Sequence, residues 1–161
     1  MTWQTSSTGS NDTERLGGLL GELLKTPGLV ELRSDLGGGK TIFVRGLARG
    51  FGSRDTVSSP SFTLNKVYKS KRGEIHHFDF YRLAEAGVMA AQLAESVGKP
   101  GVVTVVEWGG VVQDVLPKER LTIEFKPLAK SEDSREIVIH YPESMSELIK
   151  QLETNWTEIK P

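Results

Sequence analysis

The run Ser34-Asp35-Leu36-Gly37-Gly38-Gly39-Lys40-Thr41 constrains this chain more than any other stretch. It follows a short apolar segment, Leu29 to Arg33, that reads as a strand. It precedes Thr41 to Gly50, where Phe43, Val44, Leu47 and Ala48 make one helical face. A strand entering a helix through glycines and Lys-Thr is the setting of a phosphate-binding loop. Glycines let successive main-chain amides turn inward around phosphate oxygens with no Cβ in the way. The positive end of the following helix adds its field to that cradle. Lys40 would reach the β- and γ-phosphates of a triphosphate, and the Thr41 hydroxyl would take one position on Mg2+. Ser34 stands where the pattern G-x-x-x-x-G-K-[ST] has its first glycine. If that position needs a left-handed backbone, serine costs ~1 kcal/mol there.

The remainder reads as an α/β frame with one mixed sheet. Residues 1–10 are Ser/Thr-rich and aperiodic and are expected to form a flexible leader, with residues 11–157 as a single P-loop domain. Asn11 and Glu14 have the form of a capping box before a helix striped by Leu16, Leu19, Leu20, Leu23 and Leu24. Gly17, Gly18 and Gly21 lie off that stripe and weaken the helix by roughly 1 kcal/mol each relative to alanine, so tertiary docking must hold it. Phe62 to Tyr68 and Glu74 to Phe80 flank a basic turn and suggest a hairpin. An Ala-rich helix over 84–97 precedes Val102 to Val106, a strand apolar enough to be buried on both faces. Leu121 to Phe125 and Arg135 to Tyr141 are two more strands, and Ser144 with Glu147 repeats the capping-box form before a last helix.

Twenty Lys plus Arg against 21 Asp plus Glu leave a formal charge of −1, which removes the long-range attraction of a protein that binds nucleic acid through its own charge. Zero cysteines exclude thiolate catalysis and cysteine-ligated metals. No apolar run approaches the ~18 residues of a membrane span, so a cytoplasmic location is the expectation. Two acids stand at strand ends, where open α/β sheets bind ligands. Glu107 ends Val102 to Val106, like a Walker B acid that holds Mg2+ or orients the attacking water; Asp79 ends His76-His77-Phe78. The bland alternative for each is a solvated strand end. His76 and His77 alternate faces on a strand and so do not form a zinc site together. Trp108 reads equally as a core or rim aromatic or as a wall of the nucleotide pocket. Asn65-Lys66-Val67-Tyr68 lacks the acid of a guanine-reading N-K-x-D. The cluster Lys66, Lys69, Lys71 and Arg72 reads as a solvated turn rather than an RNA contact. No Arg-rich lid insertion of a small-molecule kinase is visible.

The segments Leu36-Gly37-Gly38-Gly39-Lys40-Thr41, Phe43-Val44-Arg45-Gly46-Leu47-Ala48, Ser59-Pro60-Ser61-Phe62-Thr63-Leu64, His77-Phe78-Asp79-Phe80-Tyr81-Arg82-Leu83 and Glu107-Trp108 occur in that order. Together they resemble the TsaE family, small P-loop ATPases of bacterial tRNA threonylcarbamoyladenosine (t6A) synthesis. The resemblance implies a P-loop NTPase-like three-layer fold, a mixed central sheet flanked by helices. It implies binding of ATP and Mg2+ and slow ATP hydrolysis, stimulated by partners. The partners implied are TsaB and TsaD, which transfer a threonylcarbamoyl group to adenosine 37 of tRNA; ATP turnover would permit repeated rounds, and tRNA would be met only through that complex. Residue matching assigns Asp35, Leu36, Gly37, Gly38, Gly39, Lys40, Thr41, Ile42, Thr63 and Trp108 to the nucleotide. It assigns Thr41, Asp79 and Glu107 to the metal, and Glu107, Asp79 and Lys40 to the chemistry. Ser59 to Thr63 would form a switch-like segment near the γ-phosphate, and Arg82 is a further candidate for a phosphate or partner contact. The rival from another class is an ATP-gated scaffold that needs no hydrolysis. The chain departs from the family at Ser34, at Gly110, where an acid is usual, and in the Ala-rich helix after Arg82.

Overall fold

The computed structural model describes residues 1–35, 37–60, 63–83 and 87–159. Over these residues the strands are β1 (Thr2–Ser7), β2 (Gly28–Arg33), β3 (Asn65–Ser70), β4 (Gly73–Asp79), β5 (Val102–Glu107), β6 (Leu121–Pro127) and β7 (Arg135–His140). The helices are α1 (Ser10–Leu23), α2 (Lys40–Gly50), α3 (Val88–Ser96) and α4 (Ser146–Ile159), and a 3-10 turn spans Gly109–Val112. The strands form a seven-stranded sheet in the order β1-β7-β6-β2-β5-β4-β3. β6, β2, β5 and β4 are mutually parallel; β3 pairs antiparallel with β4 at one side, and at the other β7 pairs antiparallel with β6 and β1 antiparallel with β7. β5 lies between β2 and β4 and every one of its residues is buried, which explains its uninterrupted run of valines and threonine.

The two faces of the sheet have separate cores. On one, Val30, Leu32, Val103 and Val105 pack with Leu16 and Leu20 of α1, Phe43 and Leu47 of α2, and Leu152 of α4. On the other, Leu29, Phe78 and Val106 pack with Leu93 of α3 and Val112 of the 3-10 turn. Alternation along β2 and β5 thus feeds both helical layers of a three-layer α/β fold. Among the described residues no helix is long and apolar enough to cross a membrane.

Residues 2–7 are an edge strand, correcting the expectation of a flexible leader. β1 pairs with β7 from Thr2↔His140 to Ser7↔Arg135, and Trp156 Nε1 donates to Thr5 Oγ1 at 2.6 Å. Its stability comes from the β7 ladder and α4 rather than from an apolar stripe of its own, so the sequence carries little signal for it. Both capping boxes also differ. Thr8 donates from N and Oγ1 to Asp12 Oδ2, while Glu14 pairs with Arg49 across α1 and α2 at 2.8 Å. Ser144 donates to Glu119 Oε2, and α4 begins two residues later.

The off-stripe glycines turn out to be the docking surface itself. A Cβ on Gly17 would overlap the Phe43 carbonyl oxygen, and one on Gly21 that of Leu47. From the opposite helix, a Cβ on Gly46 would lie 2.7 Å from the Glu14 carbonyl carbon, and one on Gly50 2.8 Å from that of Gly18. Two G-x-x-x-G ridges therefore face each other, main chain against main chain. Arg72 is exposed on the β3–β4 turn, as expected, and its guanidinium also reaches back to α1. It donates to Gly21 O at 3.1 Å and Leu24 O at 2.7 Å, and its guanidinium lies 4.6 Å from the Phe51 ring. A cation thus caps the negative end of α1.

Candidate nucleotide site

The loop between β2 and α2 closes on glycines with the conformation expected of a cradle. Gly37 and Gly39 have φ of 78° and 95°, a region that excludes most side chains, and Gly39 is the N-cap of α2. Ser34 is not left-handed, so the cost foreseen for a serine at this position does not arise. Its hydroxyl occupies the space of a missing side chain: a Cβ on Gly38 would lie 2.6 Å from Ser34 Cβ and closer still to Oγ. Lys40 is 7% exposed and folds over the loop. Its Nζ donates to Ser34 Oγ at 2.7 Å and to the Ser34 and Asp35 carbonyls at 3.3 Å. It also lies 4.6 Å from the Trp108 ring centroid, a cation–π contact. Burial draws the Lys40 pKa below the ordinary lysine range, and the negative fields of Glu107, Asp79 and Asp35 pull it part of the way back.

The strand ends bring the acids to this loop. Asp79 and Glu107 are register partners on adjacent parallel strands, so alternation puts both carboxylates on one face at one height. They line a cavity of about 260 Å³ with Gly37, Gly38, Gly39, Lys40, Thr41, Ile42, Ser59 and Trp108. Asp35 sits beside it and offers its carbonyl to Lys40. Thr63 is not brought there: it is exposed, and its hydroxyl donates to Asn65 O. Leu36, Ser61 and Phe62 lie outside the described residues. Arg82 is exposed.

The donor set fits a hard divalent cation bound together with phosphate. Thr41, Asp79 and Glu107 offer only oxygen, and among the described residues no three His, Cys, Asp or Glu side chains converge into an all-protein metal cage. Mg2+ characteristically takes one or two carboxylates and completes its shell with water and substrate phosphates. Trp108 has the left-handed conformation, φ 56°, uncommon for a bulky residue and concentrated at functional sites. It packs against Tyr81 with ring centroids 5.0 Å apart and, half-buried, also rests against the second core, so it walls the cavity from the rim of that core.

Two buried networks supporting these groups were missed from sequence. Glu31, 1% exposed on the opposite face, receives Arg33 at 3.1 Å, Arg120 at 2.9 Å and Gln113 at 2.8 Å. It thereby anchors the turn that follows Trp108. An acid interrupting the apolar run Leu29 to Leu32 was the available signal. Burial works against ionisation of Glu31, but hydrogen bonds and charge from Arg33 and Arg120 prevail and hold its carboxyl below the ordinary 4.5. The unfolded chain therefore takes up this proton first. The stabilisation is complete above pH 4.5 and is lost as pH falls through the lower folded value. Glu31→Gln is expected to lose about 3 kcal/mol at neutral pH and to flatten part of the acid decline, as read from denaturant midpoints across pH.

The second network runs through the histidines. His76 faces α3, with Ser96 Oγ 2.9 Å from Nδ1 and Glu74 Oε2 2.9 Å from Nε2. His77 faces the cavity side, with Nε2 2.8 Å from Glu107 Oε1 and Nδ1 3.1 Å from the Tyr68 hydroxyl. Burial pushes the Tyr68 pKa up to about 12, against the hydrogen bond to Ser58 O and with the help of the Glu107 charge; the phenol therefore remains a donor throughout the physiological range.

A profile of the family described as threonylcarbamoyl adenosine biosynthesis protein TsaE matches residues 7–137. The chain is 38% identical over 137 residues to the tRNA threonylcarbamoyladenosine biosynthesis protein TsaE of Treponema pallidum, covering 83% of this chain and 96% of that one. It is 34% identical to the Bacillus subtilis protein of the same name, with 84% and 82% covered. The crystal structure of Bacillus subtilis YdiB superposes with a TM-score of 0.80 at 29% identity, over 96% of each chain.

Proposed function

From the premise that this chain belongs to the TsaE family, we propose that it is the ATP-binding, ATP-hydrolysing accessory protein of t6A synthesis, working with TsaB and TsaD in the cytoplasm. The observation that carries this reading is the single cavity in which a glycine cradle, Lys40 and Thr41 meet two carboxylates held in register. Inward amides of the loop and the positive end of α2 take the phosphates of ATP. Lys40 exchanges its contacts with Ser34 for phosphate oxygens and offsets charge that grows on the γ-phosphoryl group. Thr41 with Asp79 or Glu107 would hold Mg2+, which would supply further charge neutralisation. Glu107 orients the attacking water from a strand end that cannot shift, because β5 is buried along its whole length. Trp108 shields Lys40 from bulk solvent, which strengthens every one of these interactions.

The test is ATP hydrolysis measured with and without purified TsaB–TsaD; the expected result is stimulation by the pair. Glu107→Gln keeps an acceptor for His77 and removes the charge. It is expected to retain Mg-ATP binding while hydrolysis drops by about a hundredfold, the effect of losing roughly 2.7 kcal/mol of transition-state stabilisation. Repeated rounds of t6A synthesis by this variant would favour the scaffold instead.

A further inference from the structure

Glu107 Oε1 belongs to a chain of hydrogen bonds that crosses three strands on one face of the sheet. His77 of β4 sits 2.8 Å away, the Tyr68 hydroxyl of β3 is 3.1 Å beyond His77, and Tyr68 donates to Ser58 O at 3.0 Å. Register explains the line. His77 lies opposite Lys66, one alternation from Tyr68, while Glu107 lies opposite Asp79, one alternation from His77. Lys66 Nζ donates to Ser58 Oγ, so Ser58 is held from two points of β3. The next residue, Ser59, lines the cavity. His77, Tyr68 and Glu107 are 0%, 2% and 3% exposed. Breaking any link strands a buried polar group, which makes the line stiff. One carboxylate oxygen of Glu107 is committed to His77, leaving the other for the cavity.

We propose that His77 is a positioning residue that fixes Glu107 toward the cavity and, through Tyr68, ties it to the main chain at Ser58, so that the segment 57–59 responds to what Glu107 holds. The inference rests on Glu107 being an acid of the nucleotide site. It assigns the buried histidine a role that neither metal ligation nor core packing supplies: transmission between the water-orienting acid and a cavity-lining segment.

Backbone hydrogen exchange with and without Mg-ADP tests this. In the unmodified protein, Mg-ADP is expected to slow exchange at Gly37–Lys40 and at Val57–Ser59. In Tyr68→Phe, which deletes one oxygen, the loop should still respond and 57–59 should not. His77→Gln, which keeps a donor for Glu107 and loses the Tyr68 link, should behave the same way, and the double variant should be no worse than either single one. Alongside, Tyr68→Phe is expected to lower kcat for ATP about fivefold to tenfold with KM unchanged, the size of one buried hydrogen bond. A response at 57–59 that persists in Tyr68→Phe, or that is missing from the unmodified protein while the loop responds, overturns the proposal. A purely structural role would lower melting temperature and leave the exchange response intact, and that outcome also overturns it. If the loop itself fails to respond in the unmodified protein, the nucleotide reading falls, and this inference with it.

Discussion

Lys40→Ala is expected to reduce ATP turnover in the assembled complex by at least a hundredfold. The ammonium group belongs to a buried residue and faces the cavity that holds both acids, where it is the cation fixed beside the phosphate site. Removing one charge-stabilising group of this kind typically costs ~3 kcal/mol at the transition state. Stability should change far less. The groups that lose the lysine are Ser34 Oγ and two carbonyls at a half-exposed loop, where water replaces it. Steady-state hydrolysis with TsaB and TsaD, together with a thermal melt, separates the two effects. Undiminished turnover in a folded Lys40→Ala protein would contradict the assignment of the loop.

The largest stability effect is expected at Gly46. Its alanine variant puts a methyl group 2.7 Å from a main-chain carbonyl carbon and against the oxygen bonded to it, so whole helices must separate. A loss of roughly 3–5 kcal/mol follows, at the upper end for a single substitution. Gly18→Ala provides the contrast. Its Cβ would meet Gly46 O at an ordinary 3.6 Å, and the helix gains up to ~1 kcal/mol from replacing glycine. Two glycines on one seam should therefore shift the urea midpoint in opposite directions. Equal, small shifts would show that α1 and α2 do not pack through their main chains.

These cases also mark what a single sequence discloses. The loop, β5 and the two acids were legible because each has a local cause: glycines where the backbone turns left-handed, valines where both faces are covered, a carboxylate where a strand stops. β1 was not legible, since a polar edge strand borrows its order from β7 and nothing within residues 2–7 announces the partner. The glycines of α1 looked like a defect because a residue's helical preference is visible alone, whereas the surface that requires it lies on another helix. Only the matching four-residue spacing at Gly46 and Gly50 could have paired them. The contacts of Arg72 with α1 were hidden for a similar reason: they are made to carbonyls 48 and 51 residues away. Alternation shows from sequence that His76 and His77 share no metal, but which acid a buried imidazole holds is decided by sheet register and not by composition.

The lodging of the Ser34 hydroxyl over Gly38 makes these two positions sterically interdependent. Each can carry a side chain only while the other does not. Gly38→Ala alone would therefore force a collision at the mouth of the cavity, and removing the serine side chain in the same molecule, Ser34→Gly with Gly38→Ala, is expected to relieve it.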